Sequence, residues 1–406
     1  MSVKFAARLT LIGTLLSLSL PLEAQFSSYS TGVDGPLDYS SQPPGTTIVF
    51  TPSAFGHTAT QPVYNFTTIN IPTGVTVRLS GALIAGPVVW LAQGAVQIGG
   101  TIDLTGGAGG CSGPNECRTP SVPGAGGYPG GVGSTGSTAS PPEPGLGPGF
   151  GAAGTSASPM GKDGTFTGNS FLIPLVGGSG GGGSWANTGG GAGGGAIFIA
   201  SSVSITLTGY INARGGNGYN SGSGSGGAIR LAAPTIGGNG QLGIASGGDS
   251  SLGATLGIAR VESFNGASFP LNPGVGPEYI AAPYKTFLST RPPATVSITS
   301  VNNLPVTQPP TGSFQTPDVM INSSGPVQLA IQAVNVPVSS VVNLQFYSDN
   351  GPDIFATSTA LVGTLASSTA TATVTFPTGY TRGFVYATFT GPAPNIRQQQ
   401  ANESRQ

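Results

Sequence analysis

One short block recurs along this chain: a glycine, a brief alternating apolar run, then paired glycines. GTIDLTGGAGG (Gly100–Gly110) is matched by GYINARGGNG (Gly209–Gly218) and, more loosely, by GQLGIASGG (Gly240–Gly248). Each block closes a longer unit. VVWLAQGAVQIGGTIDLTGG (Val88–Gly107) holds three short strands, Val88–Leu91, Val96–Ile98 and Ile102–Leu104. GGAIFIASSVSITLTGYINARGG (Gly194–Gly216) repeats the order with Ile197–Ile199, Val203–Leu207 and Ile211–Ala213, and Gly226–Gly248 writes it again. LGIARVESF (Leu256–Phe264) is a partial further copy, and AIFIA to AIRLA is a step of 32 residues, the spacing of a repeat array. Strands this short cannot bury a face alone, so each unit must stack on its neighbours. Parallel stacking at about 4.8 Å puts like apolar residues on like, with glycine at the sharp corners. The expected fold is therefore all-β, a right-handed parallel β-helix with long glycine-rich loops. A flat glycine-rich sandwich could use the same strands, but the fixed order of strand and turn favours the solenoid.

The rest of the chain divides around this array. Residues 1–24 read as a secretory signal peptide: Lys4 and Arg8 precede the apolar run Leu9–Leu20, and Leu22–Ala24 offers a cleavage point. Residues 25–81 alternate as strands, in TTIVF, YNFTTINI and VTVRL, and read as the N-terminal strands or cap of the β-helix. Residues 82–264 are the glycine-rich β-helix, interrupted by a long insertion at 106–195. The densest glycine tract, Gly177–Gly195, suits extended threefold helices packed side by side, and it would then lie against Gly215–Gly227. Residues 265–293 read as a proline-rich linker. Residues 294–391 carry about seven alternating runs, the pattern of an immunoglobulin-like β-sandwich. Residues 392–406 read as a disordered tail.

The series FTTINIPTGVTVRL, GTIDLTGG, GGGAIFIAS and GGAIRLAAP resembles the glycine-rich, passenger-like β-helix regions of exported bacterial surface proteins, over roughly residues 45–265. That resemblance implies surface display, adhesion or a matrix role, and no shared active site.

Composition narrows the chemistry. Charged residues are 7% of the chain and the net charge is −1, so the basic face of a nucleic-acid binder is missing. Glycine reaches 69 residues without a strict G-X-Y period, which excludes collagen. Cys111 and Cys117 are expected to close a small disulfide loop in an exported chain. Zinc would need further ligands, and His57 is the sole histidine. No metal or cofactor is expected.

Several motifs are products of glycine richness. Gly222–Gly227 fits GxGxxG but precedes a strand instead of opening a helix. Gly177–Gly181 fits GxSxG around Ser179, which would need His57 as its base. Asp249 in GGDSSLG lacks the repeat of a calcium solenoid. Polysaccharide lyases and hydrolases often use β-helices, and the ionisable groups this region offers for such chemistry are Asp103, Arg214, Arg230, Asp249, Arg260 and Glu262. Asp103 aligns with Asn212 and Gly243, so acids do not stack there. Arg230 and Arg260 fall on successive rungs and read as outward solubilising charges.

The residues singled out for ligand binding are Trp185, Asn187 and Tyr219, on glycine-rich loops where aromatic faces and amides suit sugar rings. The expectation is an exported structural or adhesive protein without catalysis, its partner a cell-surface or matrix polysaccharide. A polysaccharide lyase or hydrolase and a carbohydrate-binding protein are the two competing readings.

Overall fold

The computed structural model describes residues 26–387 except 111–118, 135–140, 186, 249–253, 264–266, 269–277, 282–293, 309, 311–316 and 349. The segment expected to be a signal peptide, the cysteines expected to form a disulfide, Asp249 and the expected disordered tail lie outside the described residues. Among the described residues, every regular element apart from one 3-10 turn at Pro52–Phe55 is a strand.

The first seventeen strands wind as rungs. The opening rung has β1 (Leu37–Asp38) and β2 (Thr47–Val49). The next has β3 (Val63–Phe66), β4 (Ile69–Ile71) and β5 (Thr76–Arg78). Then come β6 (Val88–Ala92), β7 (Val96–Ile98) and β8 (Thr101–Asp103), followed by β9 (Ala196–Ser201), β10 (Ser204–Leu207) and β11 (Tyr210–Asn212). The last full rung is β12 (Ala228–Ala233), β13 (Thr235–Gly237) and β14 (Gln241–Gly243), continued by β15 (Ile258–Ser263), β16 (Ala267–Ser268) and β17 (Glu278–Ala281). Equivalent strands pair in parallel and form three sheets, of six, five and six strands. The arrangement fits a parallel β-helix. The rung β9–β11 stacks directly on β6–β8 despite the insertion between them, because β8 pairs with β11 and β6 with β9. The solenoid also runs past residue 264: the backbones of β16 and β17 pair with β13 and β15, inside the segment expected to be linker.

Register explains the core. Leu37, Ile69, Val96, Ile205 and Ile236 form one inward ladder. Val77, Ile102, Ile211 and Leu242 form a second, and Tyr64, Trp90, Ile199, Leu231 and Val261 a third. All of these residues are buried in one cluster. Each buried aliphatic side chain contributes about 1.5–3 kcal/mol. Strand alternation then sends the intervening polar residues outward.

An open solenoid end exposes its core, and here aromatic residues plug it. Phe50 contacts Phe55, Tyr64 and Trp90 at ring-centroid distances of 5.1, 4.9 and 5.4 Å. His57 stacks on Tyr64 at 4.7 Å, and its Nε2 lies 2.9 Å from the Asp34 carboxylate. The buried Tyr64 hydroxyl has no hydrogen-bond partner among the described residues. Burial first, and the Asp34 charge second, push its pKa well above the usual tyrosine range. Unfolded, Tyr64 ionises near pH 10; folded, it holds its proton to higher pH. Its contribution to stability is thus complete below pH 10 and declines as pH rises above it. In Tyr64→Phe, the stability loss measured by denaturant titration above pH 10 should shrink, with little change at pH 7.

Residues 295–386 form two antiparallel sheets over a separate core. One sheet contains β18 (Thr295–Val301), β19 (Leu304–Pro305), β20 (Val327–Val334), β23 (Val362–Thr364) and β24 (Ser367–Val374); the other contains β21 (Asn343–Ser348), β22 (Ile354–Thr357) and β25 (Thr381–Tyr386). A buried ion pair, Arg382 Nη1 to Glu143 Oε2 at 2.9 Å, ties this unit to the insertion.

Candidate functional site at the end of a glycine bundle

The insertion is not a loose excursion from the solenoid. Its glycine tracts run side by side as extended chains, and the tract Gly177–Ser184 is their axis. The amides of Gly178, Gly181 and Ser184 donate to the carbonyls of Gly194, Gly191 and Thr188 (2.8–2.9 Å). Those of Gly180 and Gly183 donate to Leu146 and Glu143 (2.9 Å), and that of Gly182 to Lys162 (2.8 Å). The carbonyls point three other ways. Gly178, Gly181 and Ser184 accept from Tyr128, Gly131 and Ser134 (2.8–3.0 Å). Ser179 and Gly182 accept from Ser225 and Gly222, and Gly180 and Gly183 from Gly151 and Gly154 (2.9–3.0 Å). Every third residue faces the same neighbour, as three residues per turn require.

Six segments thus surround one chain, and the expected neighbourhood of Gly177–Gly195 and Gly215–Gly227 is found: Gly191 and Gly194 donate to Gly222 and Ser225 (2.9–3.0 Å). Such packing needs glycine for space. A methyl group built on Gly181 would overlap the Gly222 carbonyl, and one on Gly183 the Val132 carbonyl. Serines sit where a side chain fits and finds a partner, as when Ser225 Oγ accepts from the Ser179 amide at 2.9 Å. With little apolar surface to bury, the bundle rests on backbone hydrogen bonds, each worth about 1 kcal/mol net. Asp163, 5% exposed, clamps it by accepting from the Ser223 and Ala254 amides at 2.6 and 2.8 Å.

At one end of the bundle the turns converge. Ser184 Oγ donates to the Pro159 carbonyl (2.7 Å), and the Trp185 amide donates to the same oxygen (2.9 Å). Thr188 Oγ1 donates to the Asn220 carbonyl (3.2 Å), and Ser221 Oγ to that of Gly189 (2.6 Å). The Gly109 amide donates to the Asn217 carbonyl (2.7 Å). The turn carrying Trp185 and Asn187 therefore lies beside the turn carrying Tyr219. Tyr219 and Asn187 are exposed and Trp185 is half-buried. Asn187 and Asn220 adopt left-handed backbone, φ 61° and 53°, so each marks a tight turn. Asn217 and Asn220, also exposed here, were not singled out from the sequence; the signal was their position in the same polar loop as Tyr219. The resulting surface offers amides, hydroxyls and two aromatic rings without a charged side chain in either turn.

The other candidates separate. Ser179 is buried on the bundle axis, while His57 pairs with Asp34 at the solenoid's first rungs, so the two do not form a catalytic pair. Gly222–Gly227 is a bundle segment leading into β12, not a phosphate loop. Asp103 binds Arg78 (2.7 Å) and also accepts from the Thr105 amide and hydroxyl. It pairs across the rungs with Asn212, as the alignment of the repeats requires.

Arg230 and Arg260 overturn their expected role. They stand in register on β12 and β15, but at 3% and 4% exposure they are not solubilising charges. The fully buried Glu262 carboxylate accepts from Arg230 at 3.1–3.3 Å and from Arg260 at 2.5 Å. Arg230 lies over the Phe198 ring and Arg260 over the Phe171 ring, at 4.9 and 5.3 Å. The insertion supplies the cover: Phe166, Leu172 and Leu175 pack on Ala196, Ala228 and Ile258 of the same sheet face.

Among the described residues no group of three or more His, Cys, Asp or Glu side chains could hold a metal ion, and no helix is long and apolar enough to cross a membrane. No protein family, curated protein or solved structure matches the chain.

Proposed function

We propose that this is an exported adhesive or structural protein, a right-handed parallel β-helix joined to an immunoglobulin-like sandwich, which presents the turns around Trp185, Asn187 and Tyr219 to a neutral surface or matrix polysaccharide. One observation carries the reading: three recognition-type side chains stand on adjacent turns at the end of a bundle that is hydrogen-bonded in six directions. Turns ordered in advance lose little entropy on binding. Aromatic faces and amides without charge suit uncharged sugar rings. Against catalysis, three described carboxylates are engaged in holding the fold: Asp103 by Arg78, Asp163 of the insertion by backbone amides and Glu262 by two arginines. Glycoside hydrolysis would want two carboxyls facing a groove at about 5–9 Å.

The test is a glycan array with the purified protein. Trp185→Ala and Tyr219→Ala should each weaken binding at least tenfold, about 1.4 kcal/mol, with the unfolding midpoint unchanged. Cleavage of any polysaccharide in a panel of pectins, alginates and glucans would sink the non-catalytic reading.

A further inference from the structure

Two faces of the solenoid differ in what lies on them. The insertion packs over the face that carries Arg230 and Glu262, whereas the five-stranded sheet β14–β11–β8–β5–β2 stays open. Thr47, Val49, Arg214 and Gln241 at its surface are all exposed. One column of outward positions on this sheet runs Val49, Arg78, Asp103, Asn212 and Gly243, a residue per rung. Four rungs carry a side chain there and the last carries none. Tyr210 fills that gap: a methyl group built on Gly243 would meet the Tyr210 hydroxyl and ring. Tyr210 therefore does not stand up from its strand. It lies along the sheet across the neighbouring rung, half-buried.

The surroundings hold this ring in place. Its hydroxyl donates to Asn212 Oδ1 (3.3 Å), and the Arg214 side chain hydrogen-bonds the same hydroxyl. Asn212 is fixed in turn: its Nδ2 donates to Thr105 Oγ1 and its Oδ1 accepts from the Arg214 amide, both at 3.3 Å. Arg78 and Asp103 neutralise each other at 2.7 Å, each 24% exposed. The charge that this face shows to solvent is therefore the exposed guanidinium of Arg214. A guanidinium is a planar fork that matches a carboxylate. A ring laid flat beside it offers its apolar face to the face of a sugar ring. A peptide is a poor occupant here, because β11 is paired on both sides and leaves no backbone edge to bind.

We propose that this open sheet face binds an acidic polysaccharide, with the Tyr210 ring stacked on a uronate ring and the Arg214 guanidinium holding its carboxylate. The proposal is independent of glycan binding at the bundle's end, which uses other residues.

The probes are hexamers of galacturonate, glucuronate, mannuronate and guluronate. Each is paired with its methyl ester, which keeps the sugar and removes the charge. Isothermal titration with the full-length protein at low salt should show at least one acid binding about tenfold more tightly than its ester, as one charge-assisted contact allows. High salt should shrink that preference, because an exposed charge is screened. Arg214→Gln should abolish the preference while leaving the unfolding midpoint unchanged, and Tyr210→Ala should weaken acid and ester alike. Equal binding of every acid and its ester overturns the proposal without requiring any variant to fold, and so does the absence of binding by all of them. A preference that survives in Arg214→Gln also overturns it, by assigning the carboxylate to another part of the molecule.

Discussion

Gly181→Ala should collapse the glycine bundle as a unit. The new methyl group would meet the Gly222 carbonyl, a backbone atom that can move only if its own neighbours move. Gly181 also donates to Gly191 and accepts from Gly131, so any shift breaks hydrogen bonds on several sides. Overpacking in a well-packed interior costs about 1–3 kcal/mol, and rigid backbone neighbours put this site at the upper end. Hydrogen exchange should show the amides of 178–184, 191–194 and 222–225 losing protection together, while the ladders of β4, β7 and β10 keep theirs. Gly86→Ala is the matched control. Nothing lies within 4 Å of the added carbon there, and stability should change by less than about 0.5 kcal/mol. If Gly181→Ala left bundle protection intact, the six-neighbour packing would be wrong.

The second large effect lies beneath the insertion. Glu262→Ala should destabilise the protein by about 3–5 kcal/mol, because it removes the carboxylate that two buried guanidinium groups share. The cost reflects desolvated charge more than the value of the ion pairs. A triple variant, Arg230→Leu, Arg260→Leu and Glu262→Leu, should therefore recover most of the loss. Equilibrium unfolding in urea measures both. A Glu262→Ala protein as stable as wild type would mean that water reaches these arginines, and that the segment with Phe166, Phe171 and Leu172 does not seal them. The same result would return Arg230 and Arg260 to the role of solvated surface charges.

The solenoid was legible because its signal is local. Val96–Ile98 and Ile102 announce strands through alternation over a few residues, and the recurrence of AIFIA as AIRLA after 32 residues announces that such units stack. Boundaries slipped by a residue or two: Ile102–Leu104 is β8 at Thr101–Asp103, and Ile197–Ile199 grows to Ala196–Ser201. Trp185, Asn187 and Tyr219 were legible as loop residues with recognition chemistry. Their shared location depended on the bundle, which the sequence raised as one packing option. The pairing of Asp34 with His57 and of Glu143 with Arg382 left no local trace, since each joins residues whose spacing carries no pattern.

Sequence alone determined the period of the coil, the glycine at its bends and the division into repeat, insertion and second alternating region. Backbone preference and alternation act over a few residues, so a linear text can carry them. Tertiary structure alone decided which glycine tract touches which, and whether Arg230 and Arg260 meet water. A glycine tract has no side chains to specify its neighbour, and a charged residue's solvent exposure is set by what folds over it from elsewhere in the chain.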